Sequence, residues 1–263
     1  MDNILYNEEL KKCENLDDLF ELWKQKHANE KHYKNTTLME EIKPIEQNSF
    51  NKDGFINYDV YKGSNIKVLF ILKEANIWAY RDKDKDIKTI IPEEREQITW
   101  YKNYIEGKDK DNRPKQHEKM GRMAYYLQNK DTDVEKAKRP TEVEFKNALK
   151  SCAFMNMNKR GGRGAATDVY YNYITLYKDF ILKQIEIIEP CYIIILDSKD
   201  NEIIDSIKNQ YGDKVIQMWH TANRMRGIPR KEKAEYSNDK NIDCYMEEFF
   251  KRVEESKVKT NHV

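Results

Sequence analysis

Three polar side chains stand where buried strands of this sequence are expected to end: Glu74, Asn156 and His220. A carboxylate can stabilise developing positive charge or orient an attacking water, and an imidazole can donate a hydrogen bond to a developing anion. An amide offers a donor and an acceptor together, which suits the edge of a planar polar ligand. Each also has a plainer reading, as a solvated strand end, a turn amide or a structural histidine. Their convergence on one sheet edge is what points to a site.

The elements that must position them follow from the apolar pattern. Residues 66–72 are mostly β-branched and aromatic apolar residues, interrupted by Lys67, with no alternation. That predicts a strand buried on both faces. Lys73, Glu74, Ala75 and Asn76 follow at once, where an open α/β sheet presents its ligand groups. A second strand spans Cys152 to Met157 and ends among Asn156, Asn158, Lys159 and Arg160. A third, Tyr192 to Leu196, leads to Asp197 and Ser198, and a fourth, Lys214 to Trp219, leads to His220. Helical spacing predicts helices over 5–30, from a Thr141–Glu144 capping box to about Lys150, from Asp168 to Pro190, over 199–210 and over 232–257. Right-handed crossovers between such elements predict an α/β fold, a three-layer α/β/α arrangement around a central, mostly parallel four-stranded sheet. Residues 1–263 read as one domain, with a charged helical insertion at about 80–140. The insertion is read with one helix starting near Pro92 and another over about Lys115 to Gln128. It is either a solvated elaboration or a lid over the first strand's end.

Composition bounds the partners. The 263 residues carry 47 basic and 46 acidic side chains, a net charge of +1. A blanket polycation is excluded, while a local basic patch is not. The cysteines Cys13, Cys152, Cys191 and Cys244 form no CxxC pair, so they are expected as free thiols in a reducing compartment, with no metal or cluster. No GxGxxG follows any strand, which counts against a dinucleotide. No cofactor is expected. The opening MDNILYNEEL lacks the charged and apolar regions of a signal peptide, and no run approaches membrane-span length. The expectation is a cytoplasmic monomer.

The order of these features resembles the uracil-DNA glycosylase superfamily. There a buried strand ends in a motif such as GQDPY or GEAPG, and a second strand carries a base-reading Asn, sometimes with Lys three residues later. A helix closed by Pro leads to a further strand, and the last strand ends in a His-Pro-Ser-like motif. VLFILKEAN occupies the first position here, and Asn156 with Lys159 repeats the Asn-x-x-Lys spacing. ILKQIEIIEPCYIIILDS is similar to the connecting segment, and WHTANRMRG to the histidine motif. The likeness covers roughly 64–80 and 145–228. The first motif lacks its Gly and Pro, Ala75 stands at the GQDPY carboxylate position, and Thr221 and Ala222 replace Pro and Ser. An acidic role therefore falls to Glu74, as in the GEAPG type.

The resemblance implies a DNA glycosylase that hydrolyses the N-glycosidic bond of uracil or a modified pyrimidine after base flipping, in base excision, DNA repair or phage defence. A bulky phage-type base is the alternative substrate, and a catalytically degenerate DNA-binding member is the alternative protein. Glu74 and His220 are the implied catalytic pair. Asn156, Ala75, Asn76, Trp78 and Tyr80 would surround the base, although the two aromatics read equally as packing residues. DNA itself would be held by two basic loops, Lys159, Arg160 and Arg163 in one, and Arg224, Met225, Arg226 and Arg230 in the other. The arginines would clamp phosphates, and Met225 would wedge into the base stack. Replacing Arg224, Arg226 and Arg230 together is expected to weaken binding to all DNA sequences alike. It should also flatten the salt dependence by roughly one unit of slope per lost contact. Titrating labelled duplex at several salt concentrations checks this, and an unchanged slope would remove that loop from the DNA surface.

Overall fold

The computed structural model describes residues 2–29, 50–76, 94–108, 114–162, 168–197, 199–221 and 238–260. Seven strands are present among them: β1 (Phe50–Lys52), β2 (Gly54–Phe55), β3 (Val68–Asn76), β4 (Glu94–Glu96), β5 (Cys152–Gly162), β6 (Tyr192–Ile195) and β7 (Val215–Gln217). Five form an open sheet in the order β2-β5-β3-β6-β7, and β1 pairs with β4. The apolar runs pair as parallel strands, Val68 opposite Tyr192 and Ile71 opposite Ile195, then Ile193 opposite Val215. Helices flank the sheet, so the α/β class is as expected. One detail differs: the sheet has five strands rather than four, because β2 joins its edge. The sheet is mixed.

Several boundaries differ for local reasons. The region 5–30 is two helices, Asp2–Lys12 and Leu16–Asn29. Asn15 separates them: its side-chain Oδ1 accepts from the Asp18 backbone N–H at 2.9 Å and its side-chain Nδ2 donates to the Asp18 carboxylate at 2.8 Å. Such an exchange offers the backbone an alternative to continuing the helix. The helix expected near Pro92 begins later, as Ile98–Ile105, and β4 lies before it, held by its ladder to β1. The Asp168 helix is divided at Tyr177 into Asp168–Leu176 and Lys178–Ile188. It closes on Glu189 in the left-handed region, φ 53°, one residue before Pro190. The capping box forms as read. The Thr141 backbone N–H and hydroxyl and the Tyr125 hydroxyl bond the Glu144 carboxylate and pull its pKa down to about 2.

The chain divides into two compact units. The first comprises 1–54, 73–98 and 155–189, and the second 55–72, 99–154 and 190–263. In the second, Met120, Met123, Ala124 and Leu127 of helix Pro114–Asn129 are buried. This helix lies against helix Glu142–Lys150 so closely that a Cβ on Gly121 would stand 2.6 Å from the Phe145 carbonyl oxygen. The expected second helix of the 80–140 region is thus a core element of its unit.

The first unit is organised by aromatic packing. Trp23 of helix Leu16–Asn29 stacks on Tyr177 with ring centroids 5.8 Å apart and meets Phe180 at 5.3 Å. The Tyr173 hydroxyl lies 3.0 Å from the Trp23 indole N–H, 3.3 Å from the Lys159 backbone N–H and 2.9 Å from His27 Nε2. The first two groups only donate, and a hydroxyl oxygen accepts two bonds. Its own proton therefore goes to His27 Nε2, and the neutral ring carries its proton on Nδ1. Burial first, then the nearby cations Arg160, Lys26 and Lys159, hold the His27 pKa well below its usual value. A base depressed in the fold costs nothing above its unfolded pKa near 6.5, and its penalty grows as the pH falls below it. Stability should decline there by about 1.4 kcal/mol per pH unit from this group. Urea melts of wild type and His27→Leu between about pH 4.5 and 7.5 check this. The variant is expected to be weaker at neutral pH yet to lack that slope, and an equal slope in both would mean another group titrates.

Candidate functional site

β3 and β5 do not stop where the sequence places their ends. β3 runs through Lys73, Glu74, Ala75 and Asn76, and β5 through Asn156, Asn158, Lys159 and Arg160. The polar residues therefore belong to the strands themselves. In the first unit the Asn158 amide donates to Glu74 Oε2 at 3.1 Å. The Asn158 carbonyl oxygen accepts the Arg160 backbone N–H at 2.9 Å, which fixes the orientation of the amide group. The half-buried Glu74 carboxylate thus meets a donor that is itself held by the backbone.

Asn156 stands two residues earlier on β5, so its side chain shares a face with Asn158. It is 2% exposed, and its Nδ2 has no hydrogen-bond partner among the described residues. A buried donor left unpaired costs about 1–3 kcal/mol. This donor stands two residues along β5 from the Asn158–Glu74 contact, and it is one of several buried polar atoms without a partner among the described residues.

Two further β5 residues, Lys159 on the opposite face and Arg160 on the Asn158 face, carry a correction. Lys159, expected on DNA, is fully buried, and its ammonium bonds both oxygens of Asp53 at 2.7 and 2.6 Å. Its charge also lies 5.2 Å from the Trp23 ring centroid and 5.6 Å from that of Phe20. Arg160 is also interior, 4% exposed, with its guanidinium 5.5 Å from the Tyr173 ring centroid and 6.0 Å from that of Tyr177. Neither reaches a surface where a phosphate could lie. Lys159 is paired with Asp53, and Arg160 lies against the Tyr173 and Tyr177 rings.

Asp53 is the residue that sequence reasoning missed. Beyond Lys159 it accepts the Asn156 backbone N–H at 2.7 Å and the Gln184 amide at 2.7 Å. Asn51 adds a bond from its amide to the Lys159 carbonyl at 2.7 Å. The Asn-Lys-Asp-Gly run at 51–54 reads as a turn, which hides these roles. Gln184 had a signal: it interrupts the apolar stripe of Phe180, Ile181, Ile185 and Ile188. A polar residue on an inward face needs a buried partner.

His220 lies in the second unit, half-buried, three residues after β7. The carbonyls on either side of it are tied. The Tyr245 hydroxyl donates to Trp219 at 2.6 Å, and the buried Lys119 ammonium donates to Thr221 at 3.1 Å. Lys119 also sits 4.5 Å from the Tyr245 ring centroid. Ala75 and Asn76 are on β3. Trp78, Tyr80, Arg163, Arg224, Met225, Arg226 and Arg230 lie outside the described residues.

Among the described residues no group of His, Cys, Asp and Glu could hold a metal ion, and no helix is long and apolar enough to cross a membrane. The four cysteines are free thiols. No family model, curated protein or solved structure matches the chain.

The buried pair gives a direct test. Lys159→Met removes the ammonium and leaves the Asp53 carboxylate interior and unpaired, which is expected to cost about 3–5 kcal/mol. Chemical denaturation checks it. A loss below about 1 kcal/mol would mean that Lys159 contributes no more than a surface charge.

Proposed function

We propose that the chain hydrolyses an N-glycosidic bond in DNA, with Glu74 as the catalytic carboxylate and Asn156 as the reader of the flipped base. The observation that carries this reading is the pairing of an oriented carboxylate, Glu74 held by Asn158, with a buried unpartnered amide donor on the same strand face. In the reaction the bond between the sugar C1′ and the base nitrogen breaks, and its electron pair leaves with the base. The sugar becomes oxocarbenium-like, the charge that carboxylates stabilise in glycoside hydrolysis. Glu74 orients the water that adds to C1′ and takes its proton. The departing base is protonated in turn. Asn156 Nδ2 donates to a carbonyl of the base, which favours a uracil-like edge. The order of motifs in the sequence adds His220 as the hydrogen-bond donor to the base oxygen, and that role is tested separately.

With Lys159 and Arg160 committed to the interior, DNA contact in this reading rests on Arg163 and the 224–230 segment. The competing reading is a protein of similar build that binds DNA without cleaving it. An assay on oligonucleotides bearing a panel of pyrimidine lesions, followed by alkali to cleave abasic sites, separates the two. Wild type should form abasic sites on at least one substrate. Glu74→Gln and, independently, His220→Ala should each lower turnover by about a hundredfold or more. Asn156→Asp should lose activity on uracil-type bases, because one contact becomes repulsive, and could gain some on cytosine, whose exocyclic amine donates. Wild-type binding without any abasic product would establish the binder instead. Unchanged excision by Asn156→Asp would remove it from the reading role.

A further inference from the structure

We infer that Asp53 is a positioning residue that sets the register of β5, and through it the placement of Asn158 at the Glu74 carboxylate and of Asn156 two residues before it on the same strand face. This rests on the glycosidic reading of that site, although its geometry stands apart from any activity. Asp53 lies outside β5, between β1 and β2, yet it grips β5 at two places. It accepts the backbone N–H of Asn156 and the side-chain ammonium of Lys159. These are an odd number of residues apart, one group in the strand's hydrogen-bonding edge and the other on a face. A one-residue slip of a strand moves every side chain to the other face. Slipped either way, β5 would present a methionine, Met155 or Met157, where Asn156 stands, and Lys159 would leave Asp53. Only one register satisfies both contacts.

The rest of the cluster restrains Asp53 itself. One carboxylate oxygen accepts Gln184 and Lys159, the other Asn156 and Lys159, so four bonds hold it in place. Replacing a buried ion pair with apolar side chains is often neutral or stabilising, so stability alone is a weak reason for this one. A device that specifies register has a reason to be ionic, because each wrong register leaves a charge buried and unpaired. Lys159, on this argument, acts through Asp53 and touches no substrate.

The test is the paired replacement Asp53→Leu with Lys159→Met, which removes both charges together. Three measurements are made on it: a melting curve, excision kinetics, and the side-chain amide signals of Asn158 with backbone amide exchange at Asn156. A positioning role predicts a folded protein whose kcat falls about tenfold or more with a smaller change in KM. It also predicts a shifted Asn158 amide signal and faster exchange at Asn156. A merely structural pair predicts melting, kinetics and amide signals like those of wild type, and that result would overturn the inference. If wild type excises nothing, the glycosidic reading fails by itself, and the amide signals still decide the role of Asp53. Should the double variant not fold, Gln184→Leu, which keeps both charges and frees one bond on Asp53, carries the same comparison. Unaltered Asn158 and Asn156 amides in that variant would again overturn it.

Discussion

An ammonium and a carboxylate, both removed from water, meet at Lys159 and Asp53 in the interior of the first unit. Taking each ion out of water costs several kcal/mol, which mutual attraction offsets only with close geometry and further hydrogen bonds. The chain supplies both. Contact is bidentate, Gln184 and a backbone N–H complete the carboxylate, and the Trp23 and Phe20 rings face the cation. Burial pulls the Lys159 pKa down against the raising effect of Asp53. Four segments must arrive together for this arrangement to exist: helix Leu16–Asn29, the β1–β2 junction at Asp53, β5 and helix Lys178–Ile188. Their packing is therefore coupled, and none can shift alone without exposing or orphaning a charge.

The Tyr173 hydroxyl does for neutral groups what Asp53 does for charged ones. It takes the indole N–H of Trp23 and the backbone N–H of Lys159 and gives its proton to His27. It thereby ties its own helix to helix Leu16–Asn29 and to β5. Together the two hubs leave β5 with an unusual division. On its Lys159 face the charge is paired with Asp53, while on its Asn156 face a buried donor without a partner among the described residues stands two residues from the Asn158–Glu74 contact. A strand anchored on one side can hold a polar group ready on the other without relaxing to satisfy it, which is the general requirement for a preorganised site.

This division also relocates the chemistry of charge. A basic residue in an Asn-x-x-Lys pattern invites a phosphate contact, yet a lysine that is 0% exposed cannot make one. Near-neutral overall charge offers no compensating long-range field. In the proposed reading, DNA would therefore have to be held by a local group of cations, and the sequence concentrates such a group at Arg224, Arg226 and Arg230.

Local pattern determined the α/β class, the parallel pairing of the apolar runs 68–71, 192–195 and 215–217, the Thr141 cap and the free thiols. These depend on periodicity, burial preference and short-range hydrogen bonds, which neighbouring residues specify. It also singled out Glu74 and Asn156, because polar residues abutting a buried run are conspicuous. Where β3 and β5 end was not legible, since polar residues stop a strand in the sequence pattern but continue it when a neighbouring strand supplies the ladder. The partners of those residues were less legible still. Asp53 and Lys159 are separated by more than a hundred positions, |i−j| = 106, and nothing in a turn-like Asn-Lys-Asp-Gly run announces a carboxylate that will accept four bonds. A buried charge is specified by what surrounds it in space, so only the tertiary structure could decide that Lys159 faces inward to Asp53 rather than outward to a ligand.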